Sequence, residues 1–114
     1  TDPCIVNITS VAMRHGAPTA TIYGASKSAL DSFTRGIAKE LAPAIRVNAV
    51  APGVIISPFH DKYSTPEQLK AWRESNPLQK NGETTHIAQA IKFVIENDFM
   101  HGETIDVNGG LYMR

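Results

Sequence analysis

This 114-residue sequence has one cysteine, Cys4, and no apolar stretch near the roughly 20 residues that a membrane-spanning helix needs. A single cysteine excludes an internal disulfide framework and a zinc site built from several thiolates. Neither sign of charge is in excess, because 11 Lys and Arg residues balance 11 Asp and Glu residues. The basic footprint of a general nucleic-acid-binding domain is therefore missing. The opening residues also lack the basic start and apolar centre of a secretory signal.

The composition is that of a folded domain rather than a disordered tail, with 42% hydrophobic and 19% charged residues. The length suits one modest domain and not two. These features predict a small soluble protein of the cytoplasm that binds neither nucleic acid nor a membrane.

Three short segments are typical of β-strands. Residues 4–8 are a nearly continuous apolar run, which suits a strand buried on both faces of a sheet, and residues 45–50 are a second candidate for a buried strand. Residues 103–108 alternate apolar and polar side chains and predict a last strand. Helical segments separate these strands, and this alternation favours parallel strands joined by right-handed crossovers. The predicted fold class is therefore α/β, with three parallel strands and intervening helices.

The longest predicted helix covers residues 23–41. Thr19 or Thr21 would cap its start and Pro43 would stop it. The apolar residues that define its stripe recur every four positions: Ala25, Ala29, Phe33, Ile37 and Leu41.

Two shorter helices are predicted further along the chain. Thr65 and Pro66 form a helix start, with a capping residue followed by a proline, and residues 68–75 continue it as an amphipathic helix. The other helix begins at Thr84 or Thr85.

Tyr23 and Lys27 lie four positions apart in the long helix and therefore on one helix face. An ammonium beside a phenol favours the phenolate, so Tyr23 could exchange a proton with a carbonyl or hydroxyl group. The same spacing also arises where the ring simply packs and the lysine extends towards solvent.

The carboxyl ends of the two apolar strands carry the next candidates. Ser10 follows the first strand, at the edge where open α/β sheets bind ligands, and its hydroxyl could orient a carbonyl that Tyr23 protonates. Pro52 and Gly53 end the second strand, and Gly53 would let the backbone pass close to a flat ligand. Ordinary turns use the same residue types.

Taken together, these motifs resemble the short-chain dehydrogenase/reductase family. The matching segments are IVNITS at 5–10, YGASK at 23–27, VNAVAPG at 47–53 and GETIDVNGG at 102–110. They cover nearly the whole chain in the order that the family has. The resemblance implies the C-terminal part of a Rossmann-like doubly wound parallel sheet.

The resemblance also implies a role for each matching residue. Ser10 is expected to hydrogen-bond the substrate, Tyr23 to act as the catalytic acid/base, and Lys27 to hold the nicotinamide ribose. The implied reaction is hydride transfer between NAD or NADP and a carbonyl or alcohol carbon of a small molecule. The implied full-length assembly is a homodimer or homotetramer. The implied cofactor-binding residues are Tyr23, Lys27, Pro52, Gly53, Ile55 and Ser57.

Two departures from the family pattern matter. Asn108 replaces the aspartate usual before the final Gly-Gly, which is expected to alter a structural contact more than catalysis. No strand–glycine–helix unit for a dinucleotide is present in the sequence. Residues 1–114 are therefore expected to form the C-terminal catalytic half of one Rossmann-like reductase domain, without the N-terminal dinucleotide-binding half.

The missing unit leaves two functions open. In the first, the chain is part of an NAD(P)-dependent oxidoreductase, and the 114 residues are inactive by themselves. The second is a catalytically inactive fragment or half-protein that acts only in assembly. A lone fragment is expected to expose the edge of the first strand and an apolar patch, whereas a partner that covers this edge would indicate a half-protein assembled as such. A relative that performs epimerisation or dehydration is a further alternative, and the substrate class leans towards sugars, polyols or hydroxy acids.

The remaining polar and reactive residues give weaker candidates. The sequence has four histidines: His15, His60, His86 and His101. None of them forms an i, i+4 pair with another and no acidic cluster accompanies them, so no metal site is expected. Cys4 is expected to be a small core residue, and Arg14 and Arg35 to be solvated charges. Four residues of the 58–80 region either line a polar-substrate pocket or pack as surface loop: Phe59, His60, Tyr63 and Trp72.

Overall fold

The computed structural model describes residues 2–58 and 64–114. Strands and helices alternate along the chain, which confirms the predicted α/β class. The four-residue helix and two two-residue strands are elements that the sequence patterns do not predict. In chain order the elements are β1 (Cys4–Ile8), α1 (Ala12–His15), α2 (Thr21–Leu41), β2 (Arg46–Pro52), β3 (Ile55–Ile56), α3 (Pro66–Ser75), β4 (Gly82–Glu83), α4 (Thr84–Glu96) and β5 (Thr104–Val107).

The main sheet has the strand order β1-β2-β5, and both pairings are parallel. Ile5 lies opposite Val47, and Val50 lies opposite Ile105. The central strand β2 is buried along almost its whole length, because helices cover it as well as strands. The short strands β3 and β4 form a separate parallel pair beside the site described below.

Strand β1 differs from its prediction. Ile5 is 37% exposed and Ile8 is 38% exposed, so the expectation of burial on both faces is wrong. In the described part of the chain no strand pairs with the outer edge of β1. The exposed isoleucines agree instead with the expectation of an open edge with an apolar patch.

Helix α2 begins and ends within two residues of its prediction. Its N-cap is Ala20, which makes no side-chain capping bond, so the predicted threonine caps are wrong. The helix ends at Leu41, shortly before Pro43 as predicted. A proline at that position cannot continue the helical hydrogen-bond ladder.

The face of α2 that packs on the sheet is small and polar rather than apolar. Phe33, at the centre of the predicted apolar stripe, is 55% exposed. Thr34 is fully buried, and its hydroxyl accepts from Asn7 Nδ2 at 3.0 Å and donates to the Leu30 carbonyl. Each buried polar group thus has a partner, which makes a polar helix face compatible with a sheet. The buried residues of α2 are Gly24, Asp31, Thr34 and Ala38.

Asp31 gives this packing a pH dependence. Desolvation raises the pKa of its carboxyl, but hydrogen bonds from Arg35 and from the Thr104 hydroxyl (2.8 Å) outweigh it and leave the pKa lowered from 3.8. A carboxyl whose pKa is lower in the folded state than in the unfolded state stabilises the fold at pH values above the unfolded-state pKa. This stabilisation is lost as the pH falls through the folded-state pKa. The contribution is therefore present at neutral pH and lost in acid.

We expect Asp31→Asn to lower the free energy of unfolding at pH 7 by about 1–2 kcal/mol, because the ionised acceptor of two hydrogen bonds is lost. The difference from wild type should shrink at pH 3, since this pH lies below the unfolded-state pKa of 3.8 and the unfolded wild-type chain then binds a proton at Asp31. Urea unfolding at both pH values measures this, with Glu40→Gln on the exposed face of α2 as the control. An equal difference at pH 7 and pH 3 would contradict the assignment.

The start of α3 follows its prediction. The Thr65 hydroxyl accepts from the Gln68 backbone N–H at 3.1 Å, and the Gln68 side chain accepts from the Thr65 N–H at 2.9 Å. Pro66 occupies the first turn. This reciprocal capping box explains why a polar ten-residue segment is helical.

Arg46, the first residue of β2, is 8% exposed and holds the end of α4. Its guanidinium donates to the carbonyls of Val94 (3.2 Å) and Ile95 (2.8 Å) in the last turn of that helix. It also donates to the Asn97 and Met100 carbonyls and pairs with Asp2 at 3.0 Å. One side chain therefore satisfies carbonyls that the helix itself leaves without a partner.

Candidate active site

The carboxyl ends of the three main strands lie at one edge of the sheet and are bonded to one another. Ser10 follows β1, Gly53 follows β2 and Asn108 follows β5. The Val11 N–H donates to the Pro52 carbonyl at 2.8 Å, and the Gly53 N–H donates to the Val107 carbonyl at 2.8 Å. These bonds fix the three connections relative to each other.

An open groove of about 420 Å³ lies over this edge. Its walls come from the ends of β1 and β2, from α2 and from α4. It brings together all of the predicted site residues except Ser57: Ser10, Tyr23, Lys27, Pro52, Gly53 and Ile55. Ser57 follows β3 and does not line the groove.

Ser10 is 8% exposed and is held by the start of α1. Its Oγ accepts from the Ala12 backbone N–H at 3.1 Å. A hydroxyl has one proton and two lone pairs, so this bond uses a lone pair and leaves the proton for another acceptor. Ser10 can therefore donate a hydrogen bond to an oxygen in the groove.

Tyr23 and Lys27 lie on the face of α2 that borders the groove. The Lys27 Nζ donates to the Ile8 carbonyl at 3.0 Å and lies 5.8 Å from the centroid of the Tyr23 ring. An ammonium has three N–H donors, and this bond uses one of them. Tyr23 is about half exposed and lines the groove.

Gly53 has a packing role that its sequence position does not reveal. A Cβ built on Gly53 would lie 2.7 Å from the Asn108 Cβ and 2.8 Å from its Cα, which is too close for any side chain. Asn108 Oδ1 accepts from the Gly110 and Tyr112 N–H groups. The close approach made possible by glycine is thus to Asn108, and Asn108 shapes the turn after β5.

One wall of the groove comes from α4, the helix predicted to begin at Thr84 or Thr85. Thr84, Ile87, Ala88 and Ile91 lie at the groove with offsets of three, four and seven positions, which places them on one helix face. That spacing was readable from the sequence. The surface that this helix face contacts could not be read from the sequence, because it depends on how α4 packs on the sheet.

Arg14 is not the solvated charge that was predicted. Its side chain is 18% exposed and pairs with Asp106, whose side chain is 14% exposed. Arg35 is 54% exposed and pairs with Asp31 one turn earlier in α2. The burial of Arg14 comes from a contact between residues 92 positions apart, which no local pattern predicts.

The described histidines make structural hydrogen bonds. His101 Nδ1 accepts from the Val47 N–H at 3.2 Å and its Nε2 lies 2.7 Å from the Ala38 carbonyl. His86 Nδ1 accepts from the Glu83 N–H at 2.8 Å, and His15 contacts the Gly16 carbonyl. Among residues 2–58 and 64–114, no group of three or more His, Cys, Asp or Glu residues could hold a metal ion.

The predicted polar-substrate pocket lies mostly outside the described residues, which exclude Phe59, His60 and Tyr63. Trp72 is described: it lies on α3, is partly buried and does not line the groove. Cys4 is likewise partly buried, within β1. In the parts of the chain that the structure describes, no helix is long and apolar enough to cross a membrane.

Comparison with known proteins decides the family. The family model described as enoyl-(acyl carrier protein) reductase matches residues 2–112. The chain belongs to the short-chain dehydrogenase/reductase family. The members of this family are oxidoreductases. The matches confirm both the resemblance inferred from the sequence motifs and the Rossmann-type fold.

Two curated relatives show how much of a family member this chain represents. It is 37% identical over 110 residues to the uncharacterized oxidoreductase YgfF of Escherichia coli strain K12, covering 93% of this chain and 44% of that protein. It is 38% identical over 111 residues to cyclopentanol dehydrogenase of Comamonas testosteroni, covering 94% of this chain and 44% of that protein. The chain therefore spans less than half the length of these short-chain dehydrogenase/reductase relatives.

Solved structures agree in fold and in coverage. A short-chain dehydrogenase/reductase described as glucose/ribitol dehydrogenase, from Brucella melitensis, superposes with a TM-score of 0.90 at 39% identity, covering 97% of this chain and 46% of that one. A 3-oxoacyl-[acyl-carrier protein] reductase from the same organism, with bound NAD, gives 0.85 at 38% identity, with 97% and 41% coverage. Other similar structures contain NADPH or NADP.

Proposed function

We propose that this chain is the catalytic part of an NAD(P)-dependent oxidoreductase that interconverts a carbonyl and an alcohol on a small molecule. The observation that carries the proposal is the groove at the sheet edge. It holds a serine hydroxyl with a free proton, a tyrosine hydroxyl and a lysine ammonium within one open space. These are the groups that a carbonyl oxygen needs as it gains a proton.

Each group has a distinct task in this proposal. Ser10 donates a hydrogen bond to the substrate oxygen and orients it. Tyr23 gives its proton to that oxygen during reduction and takes the proton back during alcohol oxidation. The charge of Lys27 stabilises the phenolate that Tyr23 becomes, and its bond to the Ile8 carbonyl keeps the ammonium in place.

The groove suits the nicotinamide end of the cofactor. Lys27 has two N–H donors left beyond the bond to Ile8, and these can hold ribose hydroxyls. Pro52, Gly53 and Ile55 line the same groove. When bound, NAD or NADP supplies or accepts the hydride. The bound NAD, NADPH and NADP of similar structures support this assignment, and Ser57 stays a cofactor-binding residue by prediction alone.

The remainder of the cofactor needs groups that the described residues do not provide. In residues 2–58 and 64–114 no strand is followed by a glycine-rich turn that opens a helix, the usual pyrophosphate site. We therefore propose that residues 1–114 act as the C-terminal catalytic half of one Rossmann-like domain. The cytoplasmic location and the homodimer or homotetramer of the full-length form stay predictions, the latter supported by the exposed Ile22 and Phe33 on α2.

A second candidate function would use the open edge of β1 for assembly. With Ile5 and Ile8 exposed on the outer strand, the chain offers a surface suited to pairing with further polypeptide. In this alternative the 114-residue chain is a half-protein that acts in assembly and has no catalytic activity of its own.

An activity measurement separates the two candidates. We expect the 114-residue chain alone to show no NADH- or NADPH-dependent reduction of small ketones, aldehydes or sugars, since it lacks a pyrophosphate-binding turn in its described part. The same chain joined to a dinucleotide-binding half should consume NADH or NADPH in step with the carbonyl, as followed by absorbance at the nicotinamide band. Turnover by the chain alone contradicts the half-domain proposal. An inactive joined protein that binds NAD(P)H favours the assembly function.

A further inference from the structure

We propose that Arg14 is a positioning residue for Ser10, and that it acts by holding α1 against β5. The proposal rests on the function proposed above, because that function gives the Ser10 hydroxyl its role. Arg14 itself does not line the groove and is not expected to touch substrate or cofactor.

The orientation of Ser10 depends on α1. This helix has four residues and begins two positions after Ser10, and a helix of one turn is not stable by itself. The Ala12 N–H donates to Ser10 Oγ at 3.1 Å, and the Met13 N–H donates to the Ser10 carbonyl at 3.2 Å. Any shift of α1 therefore changes which way the serine proton can point.

Arg14 fixes α1 to the far strand of the sheet. Its Nε donates to Asp106 Oδ1 and its Nη2 donates to Asp106 Oδ2, both at 3.2 Å. A two-point bond between a guanidinium and a carboxylate fixes the plane of both groups, which a single point charge cannot do. Both side chains are largely buried, so solvent screens the pair weakly.

The segment after β5 closes over this pair. The Tyr112 ring lies 5.9 Å from the Arg14 guanidinium carbon, within cation–π range. Arg114 Nε lies 3.5 Å from Asp106 Oδ2, on a side chain that is 59% exposed. Asp106 is thus shared by two arginines, of which Arg14 is the buried one bonded through both carboxylate oxygens.

A backbone bond supplies the second anchor of the Ser10 connection. The Val11 N–H donates to the Pro52 carbonyl, so the connection is tied to β2 on one side and, through Arg14, to β5 on the other. Side-chain substitution can remove the Arg14 anchor while the backbone anchor stays. This separation makes the positioning role testable.

Hydrogen exchange on the 114-residue chain is the first readout. In Arg14→Met, we expect the Ala12 and Met13 amides to exchange about tenfold faster, because α1 opens locally more often. Arg14→Lys should lie between, since an ammonium keeps the charge but loses the two-point geometry. Arg35→Met, which removes an arginine that pairs with Asp31 in the same helix, should leave these amides unchanged.

The second readout is kinetics in the active protein that contains this chain. Arg14→Met should lower kcat by about tenfold through misplacement of Ser10, with the KM for NAD(P)H within about twofold of wild type. Asp106→Asn should reproduce the loss of kcat, and the double variant should lose little more, since both changes remove one interaction.

Each outcome decides the proposal. Unchanged exchange at Ala12, faster exchange throughout the sheet, or faster exchange at α1 with wild-type kcat would each overturn it. If Arg14→Met fails to fold, Arg14→Lys decides by the same criteria. A Tyr23→Phe variant with full activity would sink the proposed function instead, and the exchange measurement would still show whether Arg14 holds α1.

Discussion

Replacing Tyr23 by Phe should reduce kcat for carbonyl reduction by about 10²- to 10⁴-fold in the active protein that contains this chain. The substitution removes one oxygen and keeps the ring, so the groove keeps its shape. The substrate oxygen then has no proton donor at the position of the Tyr23 hydroxyl, while Ser10 and Lys27 stay in place. Steady-state rates of NAD(P)H oxidation with a saturating carbonyl substrate measure the effect.

Two controls define what the Tyr23→Phe result means. NAD(P)H binding should persist, because the Lys27 ammonium is anchored by the Ile8 carbonyl and not by the Tyr23 hydroxyl. Ser32→Ala, a hydroxyl deletion on an exposed position of α2 outside the groove, should keep wild-type activity. A Tyr23→Phe protein that reduces carbonyls at the wild-type rate would remove the acid/base assignment.

Ser10→Ala extends the comparison within the same site. Its loss should be about 10²-fold, since it removes one hydrogen bond to the substrate oxygen rather than the proton donor. The order of the two losses is the test, because Ser10→Ala keeps the proton donor. A larger loss for Ser10→Ala than for Tyr23→Phe would contradict the assignment of Tyr23 as that donor.

Replacing Arg46 by Met should lower the free energy of unfolding by about 2–3 kcal/mol, because four buried or partly buried carbonyls lose their charged donor. Met has a similar apolar volume along the stem but offers no N–H groups. The Val94 and Ile95 carbonyls belong to the last turn of α4, so the helix end should loosen as well. Urea unfolding of the 114-residue chain, followed by circular dichroism, measures the loss.

The electrostatics of Arg46 predict the behaviour of its variants. The hydrogen bond that Arg46 donates to the Asp2 carboxylate is the largest cause that raises the Arg46 pKa, so the guanidinium stays charged. Arg46→Lys should recover part of the stability, since one ammonium cannot reach all the carbonyls. Lys92→Met, which breaks an exposed ion pair on α4, should cost less than about 1 kcal/mol. Equal losses for Arg46→Met and Lys92→Met would contradict the capping role.

Local signals in the sequence were enough for most element positions. The capping residues at Thr65–Gln68 and the proline after α2 acted through contacts within a few residues, which a sequence pattern can express. The start of α2 was misassigned because its cap is a backbone conformation at Ala20 and not a side chain. The strands β3 and β4 were missed because two-residue pairings between segments 27 positions apart leave no periodic signature.

Which face of each element is buried was harder to predict. The apolar stripe of α2 through Phe33 suggested a core face, yet the sheet contacts Thr34 and Asp31. Polar side chains can be buried there because Asn7 and Thr104 supply partners from distant strands. Arg14 was misassigned for the same reason, since its partner Asp106 is remote in the chain.

The sequence by itself determined the α/β alternation, the family and the residues with which catalytic chemistry is proposed, because each depends on residue type and short spacing. Only the tertiary structure decided that Ser10, Tyr23 and Lys27 share a groove, that α4 forms its other wall and that Gly53 packs on Asn108. It also decided that Arg14 and Arg46 are buried charges. These facts depend on contacts between residues that are far apart in sequence, and the free energy of such contacts exists only once the chain has folded.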